Sequence, residues 1–164
     1  PMIPAFIPRY LTGISNDVDA QPHPERLDAR TKGMKRFSRH VSESRLAKSL
    51  AKEADCAAII DGVLADHDVL ITPGLAQQQL PVGKYAGKGA FATFNGVARF
   101  TPFTAPVNMT GHPAISIPVG WDADGLPLSV QIIGRQNSER LLISLAAQLE
   151  AANPWADRRP GLPA

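Results

Sequence analysis

The sequence predicts an α/β fold, and three stretches carry that prediction. Between residues 42 and 65, Leu46, Leu50, Ala54, Ala57, Ile60 and Leu64 form an apolar stripe at helical spacing. Ala114–Val119 and Leu128–Ile133 are short apolar, β-branched runs, joined by a polar stretch with turn chemistry at Asp124-Gly125. Leu141, Leu142, Leu145, Ala146 and Leu149 then line one face of a closing helix, which Asn153-Pro154 stops.

Composition sets the bounds. At 164 residues the chain is one domain or part of one, long enough for a single core. A hydrophobic fraction of 44% with 20% charged residues is that of a globular chain, which excludes a disordered or fibrous class. Fifteen prolines and thirteen glycines point to long loops. No apolar run approaches the roughly 18 residues of a membrane span, so no membrane partner is expected. No basic-then-apolar leader stands at the start. The one cysteine, Cys56, has no internal disulfide partner and is expected as a small buried apolar residue on a helix, in keeping with a cytoplasmic location.

In chain order, residues 1–24 carry four prolines in their first twenty-two positions (Pro1, Pro4, Pro8 and Pro22) and no helical period, and are read as an irregular arm whose apolar opening needs cover. Residues 25–66 are read as two helices. Pro24-Glu25-Arg26 opens the first, which ends near Ser38 with a thin apolar face of Leu27, Ala29, Met34 and Phe37. Ser42 or Ser44 caps the second. Nine Lys or Arg side chains between Arg26 and Lys52 oppose only Asp28 and Glu43. Phe37 is the sole aromatic among them and the net charge is only +2, so the run is read as a solvated face, with no nucleic-acid partner. Residues 68–72 are a strand, stopped by Pro73-Gly74.

Residues 73–100 are read as a long loop followed by a short helix from about Thr93. Loops of that length tend to be functional. Gly83-Lys84 and Gly87-Lys88-Gly89 resemble a phosphate loop only loosely, because the spacing is one residue short and the closing Ser or Thr is Gly89. Residues 101–155 hold a bent loop and then the strand–turn–strand–helix unit, with Asn137 or Ser138 as helix cap. The four histidines have no metal-pair spacing, so no metal site is expected, and Asp122 and Asp124 are read as turn residues.

The words Phe103-Thr104-Ala105-Pro106, Asn108, Thr110-Gly111, Pro113-Ala114, Pro118, Gly125-Leu126-Pro127, Gln131, Gly134, Glu139, Leu141-Leu142, Pro154-Trp155 and Arg159-Pro160 share one order and spacing. In that order they resemble the C-terminal part of amidase signature enzymes, which hydrolyse carboxylic amides with a Ser–Ser–Lys triad. The resemblance covers about Arg9 to Pro160. It implies an incomplete α/β/α sandwich with a mixed β-sheet, a small-molecule amide substrate, no cofactor, and a partner in the N-terminal half of the same enzyme. A homodimer is left open.

The family's catalytic elements lie in that N-terminal half, and no stretch resembling GGSSGGS stands in this chain. No catalytic residue is therefore carried over, and the chain alone is expected to be inactive. The resemblance carries over a pocket wall instead: Pro73, Gly74, Thr101, Phe103 and Asn108. Two alternatives stand beside it, part of a tRNA-dependent amidotransferase A subunit and a catalytically empty binding module. In the amidotransferase relatives the position aligned with Thr101 is acidic, which argues against the first.

Overall fold

The computed structural model describes residues 2–158, so Pro1 and the Arg159-Pro160 word lie outside the described residues. The elements in order are α1 (Met2–Asp19), a 3₁₀ turn (Pro24–Arg26), α2 (Ala29–Ser38), α3 (Glu43–Ala51), α4 (Glu53–Leu64), β1 (Val69–Pro73), α5 (Ala90–Phe100), α6 (Thr104–Thr110), β2 (Ala114–Trp121), β3 (Pro127–Gly134) and α7 (Glu139–Ala152).

The strands form one antiparallel sheet in the order β1-β3-β2. Side chains alternate across it. Ile117 and Ile132 point to one face and pack on Leu142 of α7, with Ile115, Val130, Leu145 and Trp155 around them. Ile133 and Leu70 point to the other and meet Ile60 and Leu64 of α4 and Val107 of α6. Helices thus cover both faces, the expected α/β/α layering. The parallel pairing that would make the sheet mixed is not among the described residues. No helix among them is long and apolar enough to cross a membrane.

The first correction concerns residues 1–24. Met2–Asp19 is a helix, not an irregular arm. Pro4 falls in its first turn, where a missing N–H costs nothing. Pro8 lies inside and is among the most deeply buried side chains, so packing offsets its break in the ladder. Ala5 meets Cys56 and Met109 in a second apolar cluster, and the buried Ser49 hydroxyl donates to the Ala5 carbonyl. Arg9 pairs with Glu53 at 2.9 Å and donates to the Met109 carbonyl at 3.3 Å, tying α1 to α4 and α6. Cys56 is buried as expected.

The second correction concerns the two helices of 25–66. Pro24–Arg26 is only a 3₁₀ turn, and α2 begins after Asp28, whose carboxylate accepts from the Arg30 and Thr31 amides at 2.7 and 3.1 Å. Those donors, Thr31 foremost, hold the Asp28 carboxyl below the ordinary carboxylate value. The long second helix is two helices that meet at Lys52 (φ −84°, ψ −2°). The turn lets α3 lie on α1 while α4 lies on α6 and β1. Ser42 is the N-cap of α3, accepting from the Arg45 amide at 3.2 Å.

Two more bounds move. The helix after the long loop starts at Ala90 rather than near Thr93. The stretch read as a bent loop after Thr101 contains α6, with Pro106 in its first turn and Gly111 (φ 70°) closing its end. The Asp124-Gly125 turn stands as expected: Gly125 is left-handed (φ 77°), and Asp122 Oδ1 accepts from the Asp124 and Leu126 amides.

Candidate functional site

Four of the five expected wall residues gather where β1 ends. Pro73 makes the last β1–β3 pair, opposite Val130, and the Gly74 amide then donates to the Ser129 carbonyl at 2.9 Å. A Cβ on residue 74 would run into Ser129 Oγ and sit 3.1 Å from the Ser129 carbonyl oxygen, so glycine is required by close approach. Two residues on, the Ala76 amide donates to the Phe100 carbonyl at 3.0 Å, bringing the loop to the end of α5 and to Thr101.

Gln131, on the central strand, joins these pieces. It is buried, and its Nε2 donates to Thr72 Oγ1 at 3.3 Å and to the Phe103 carbonyl at 3.1 Å. One side chain therefore fixes the end of β1 to the start of α6. Thr101 spends its hydroxyl on the Val97 carbonyl at 3.1 Å, sealing the end of α5, and its own carbonyl accepts from Thr104 Oγ1 at 3.2 Å. Asn108 does not join the group. It is exposed on α6 between the buried Val107 and Met109.

A cavity of about 220 Å³ opens beside this junction, lined by Pro73, Leu75, Gln77, Gln79, Leu128 and Ser129 among others; of the expected wall residues only Pro73 lines it. None of its lining residues is charged. Gln79 holds the lip in place, with Nε2 donating to the Pro127 carbonyl at 2.7 Å. A second cavity of about 280 Å³ lies further along the same loop, between Arg30 and Leu80–Ala86. Gly83 and Gly87 are left-handed there, but the loop forms single turns (Lys84 to Pro81, Ala86 to Gly83, Lys88 to Tyr85) rather than a phosphate cradle.

Sequence reasoning gave no role to Gln79, Gln131 or His112, although Gln131 stood among the family words. The run Gln77-Gln78-Gln79 in a loop was the available signal for the first. A glutamine at an inward strand position, where an apolar residue is the rule, was the signal for the second. His112 is buried. Its Nδ1 lies 2.9 Å from Thr110 Oγ1 and its Nε2 3.1 Å from Asp61 Oδ1, so it pins α4 to the turn between α6 and β2. Among the described residues no serine hydroxyl hydrogen-bonds to a lysine or histidine side chain. The basic run of 26–52 is exposed apart from Lys35, which pairs with Asp19.

What this arrangement can do alone is hold one side of a neutral pocket. It presents carbonyls, amide groups and apolar side chains, and its lining holds no lysine, histidine or carboxylate. The comparisons agree with that partial character. AmiB2 of Mycobacterium tuberculosis is 43% identical over 157 residues, which is 96% of this chain and 34% of that protein. The 6-aminohexanoate-cyclic-dimer hydrolase of Pseudomonas sp. (strain NK87) is 42% identical over 105 residues, 60% of this chain and 21% of that protein. A solved 6-aminohexanoate cyclic dimer hydrolase, complexed with substrate, superposes with a TM-score of 0.75 at 28% identity, covering 94% of this chain and 36% of the other. The chain thus spans about a third of the length of the AmiB2 relative it matches. The Amidase family model matches residues 8–143, and with sequence and fold in agreement over that span, the chain belongs to the amidase family.

Proposed function

We propose that this chain forms one wall of the acyl pocket of an amidase that hydrolyses a carboxylic amide to the acid and ammonia. Amide hydrolysis needs a nucleophile, a base for its proton and donors for the developing oxyanion. These come, in this reading, from polypeptide outside the chain, and the chain alone is inactive. Pro73, Gly74, Thr101 and Phe103 shape the wall, and Gln131 positions it. Asn108 takes no part in the described cluster and contributes only if the rest of the enzyme covers α6.

The observation that carries the reading is the uncharged cavity where the end of β1, the 75–79 loop and the 127–129 segment meet, in a chain that is a third the length of its amidase relative. An uncharged cavity suits a neutral amide. Two relatives are named as hydrolases of a cyclic 6-aminohexanoate dimer, itself a neutral molecule joined by amide bonds. The single buried cysteine is in keeping with a reducing cytoplasm.

The test compares this chain with the product of its whole reading frame, using hexanamide and benzamide and measuring ammonia. The long product should release ammonia and the 164-residue chain should match buffer. Hydrolysis by the chain alone, or none by the long product, would overturn the proposal.

A further inference from the structure

β1 and β2 are the two edges of the three-stranded sheet, and they are built differently. The antiparallel register decides which backbone groups face outward, because pairing alternates along each strand. The Gly74 amide donates to the Ser129 carbonyl at 2.9 Å, so Thr72 and Leu70 also turn their N–H and C=O groups toward β3. Val69 and Ile71 turn theirs to the open side, and Pro73 its carbonyl. On β2 the Gly134 amide donates to the Pro113 carbonyl at 3.0 Å, which leaves Ala114, Ser116 and Pro118 facing outward.

The β2 edge carries two devices that keep another strand away. Pro118 offers no N–H there, and the ladder is irregular between Pro118 and Gly120. The β1 edge lacks both until its last residue: Val69-Leu70-Ile71-Thr72 is uncharged, largely β-branched, and in unbroken register. Among the described residues no backbone bond reaches Val69 or Ile71 from the open side. The face beside that edge is bare as well. Ile71 lies on the same side of the sheet as its partner Ile132, which is fully buried next to Leu142, yet Ile71 is 57% exposed. Helix α7 therefore covers β2 and β3 and stops short of the middle of β1. A regular apolar edge of this kind is a template for pairing.

We propose that β1 is an interior strand of the working enzyme. An extended segment from the part of the amidase outside this chain pairs with Val69 and Ile71, apolar side chains from that part cover Ile71, and β2 is the outer edge of the sheet. Outward N–H and C=O groups repeating every second residue are matched by extended backbone. A second copy of β1 matches them poorly. Set antiparallel about Ile71, each Val69 carbonyl would meet Pro73 of the other copy, which has no N–H to give. The identity of the occupant rests on the reading of this chain as a third of an amidase and deepens it by placing the contact.

The test is hydrogen exchange on the product of the whole reading frame, resolved to single residues by electron-transfer fragmentation. The Val69 and Ile71 amides should exchange about 100-fold or more slowly than unpaired ones, like Leu70 and Thr72, while Ser116 exchanges fast. Fast exchange at Val69 and Ile71 would overturn the proposal. Protection there that disappears on dilution would put a second copy in the segment's place and overturn it too. Slow exchange at Ser116 would overturn the assignment of β2 as the outer edge. Lasting protection of β1 without ammonia release would sink the assigned reaction and leave the paired edge standing. Ammonia release with an unprotected β1 would do the reverse.

Discussion

Replacing Gln131 with glutamate is the sharpest probe of the junction. The side chain keeps its length, but the Nε2 group that donates to the Phe103 carbonyl at 3.1 Å and to Thr72 Oγ1 at 3.3 Å becomes an oxygen. Losing a donor at a buried site costs about 1–3 kcal/mol, and Gln131→Met isolates that part. Glutamate adds an ionised carboxylate facing a carbonyl oxygen, and an uncompensated buried charge raises the total to about 3–5 kcal/mol at neutral pH. Against the about 5–15 kcal/mol of a typical domain, the difference is readable by urea unfolding with an unchanged m-value. The pH dependence supplies the sign. Burial raises the glutamate pKa, so the native state holds a proton that the unfolded state releases above about pH 4.3. Stability of the variant relative to the parent therefore falls as pH rises past that value, and the gap narrows as pH is lowered toward 4. A penalty under about 1 kcal/mol, or one that does not change with pH, would refute the role given to Gln131.

Two further substitutions test the frame around the site. Arg135 donates through Nε and Nη2 to the Leu64 carbonyl at 3.0 and 2.7 Å and through Nη2 to the His67 carbonyl at 3.0 Å, closing the C-terminal end of α4 with a positive charge. Arg135→Met should cost about 1.5–3 kcal/mol and lower the melting temperature by several degrees, while a shift within scan error would show the cap to be idle. Asp28→Asn keeps the cap of α2 and removes its titration. Because the Asp28 carboxyl is held below its ordinary value, its contribution is present above the unfolded pKa of about 3.9 and is lost as pH falls through the folded one. The variant's urea midpoint should therefore vary less between pH 2 and 5 than the parent's, and equal acid slopes would rule out the assignment.

The elements legible in the sequence are those whose local signals agree with their surroundings. The Asp124-Gly125 turn, the two strands it joins and the Leu142 face of α7 all carry the period their burial requires. Helix α1 was illegible because Pro4 and Pro8 announce a break that only the packing of Ala5 and Pro8 overrides. The break at Lys52 has no glycine or proline to mark it, and it follows from the demand that α3 and α4 face different neighbours. Family likeness pointed to Pro73, Gly74, Thr101 and Phe103, of which Pro73 lines the cavity. It marked Gln131 only as one word of the pattern and Gln79 not at all, since their partners lie some 28 to 59 residues away in sequence. Asn108 shows the limit of likeness from the other side: its neighbours in sequence are core, and it points to solvent.

The sheet order has a consequence for how the chain assembles. Among the described residues every interstrand pair uses β3, because β1 and β2 each bond only to it. β2 and β3 are joined by a tight turn, so their pairing closes a small loop and can form early. β1 must reach β3 across α5, α6 and β2, and closing that longer loop is slower and entropically dearer. The junction around Gln131 cannot exist before that last pairing. Its maturity therefore coincides with the completion of the sheet, after the β2–β3 pairing on which it rests.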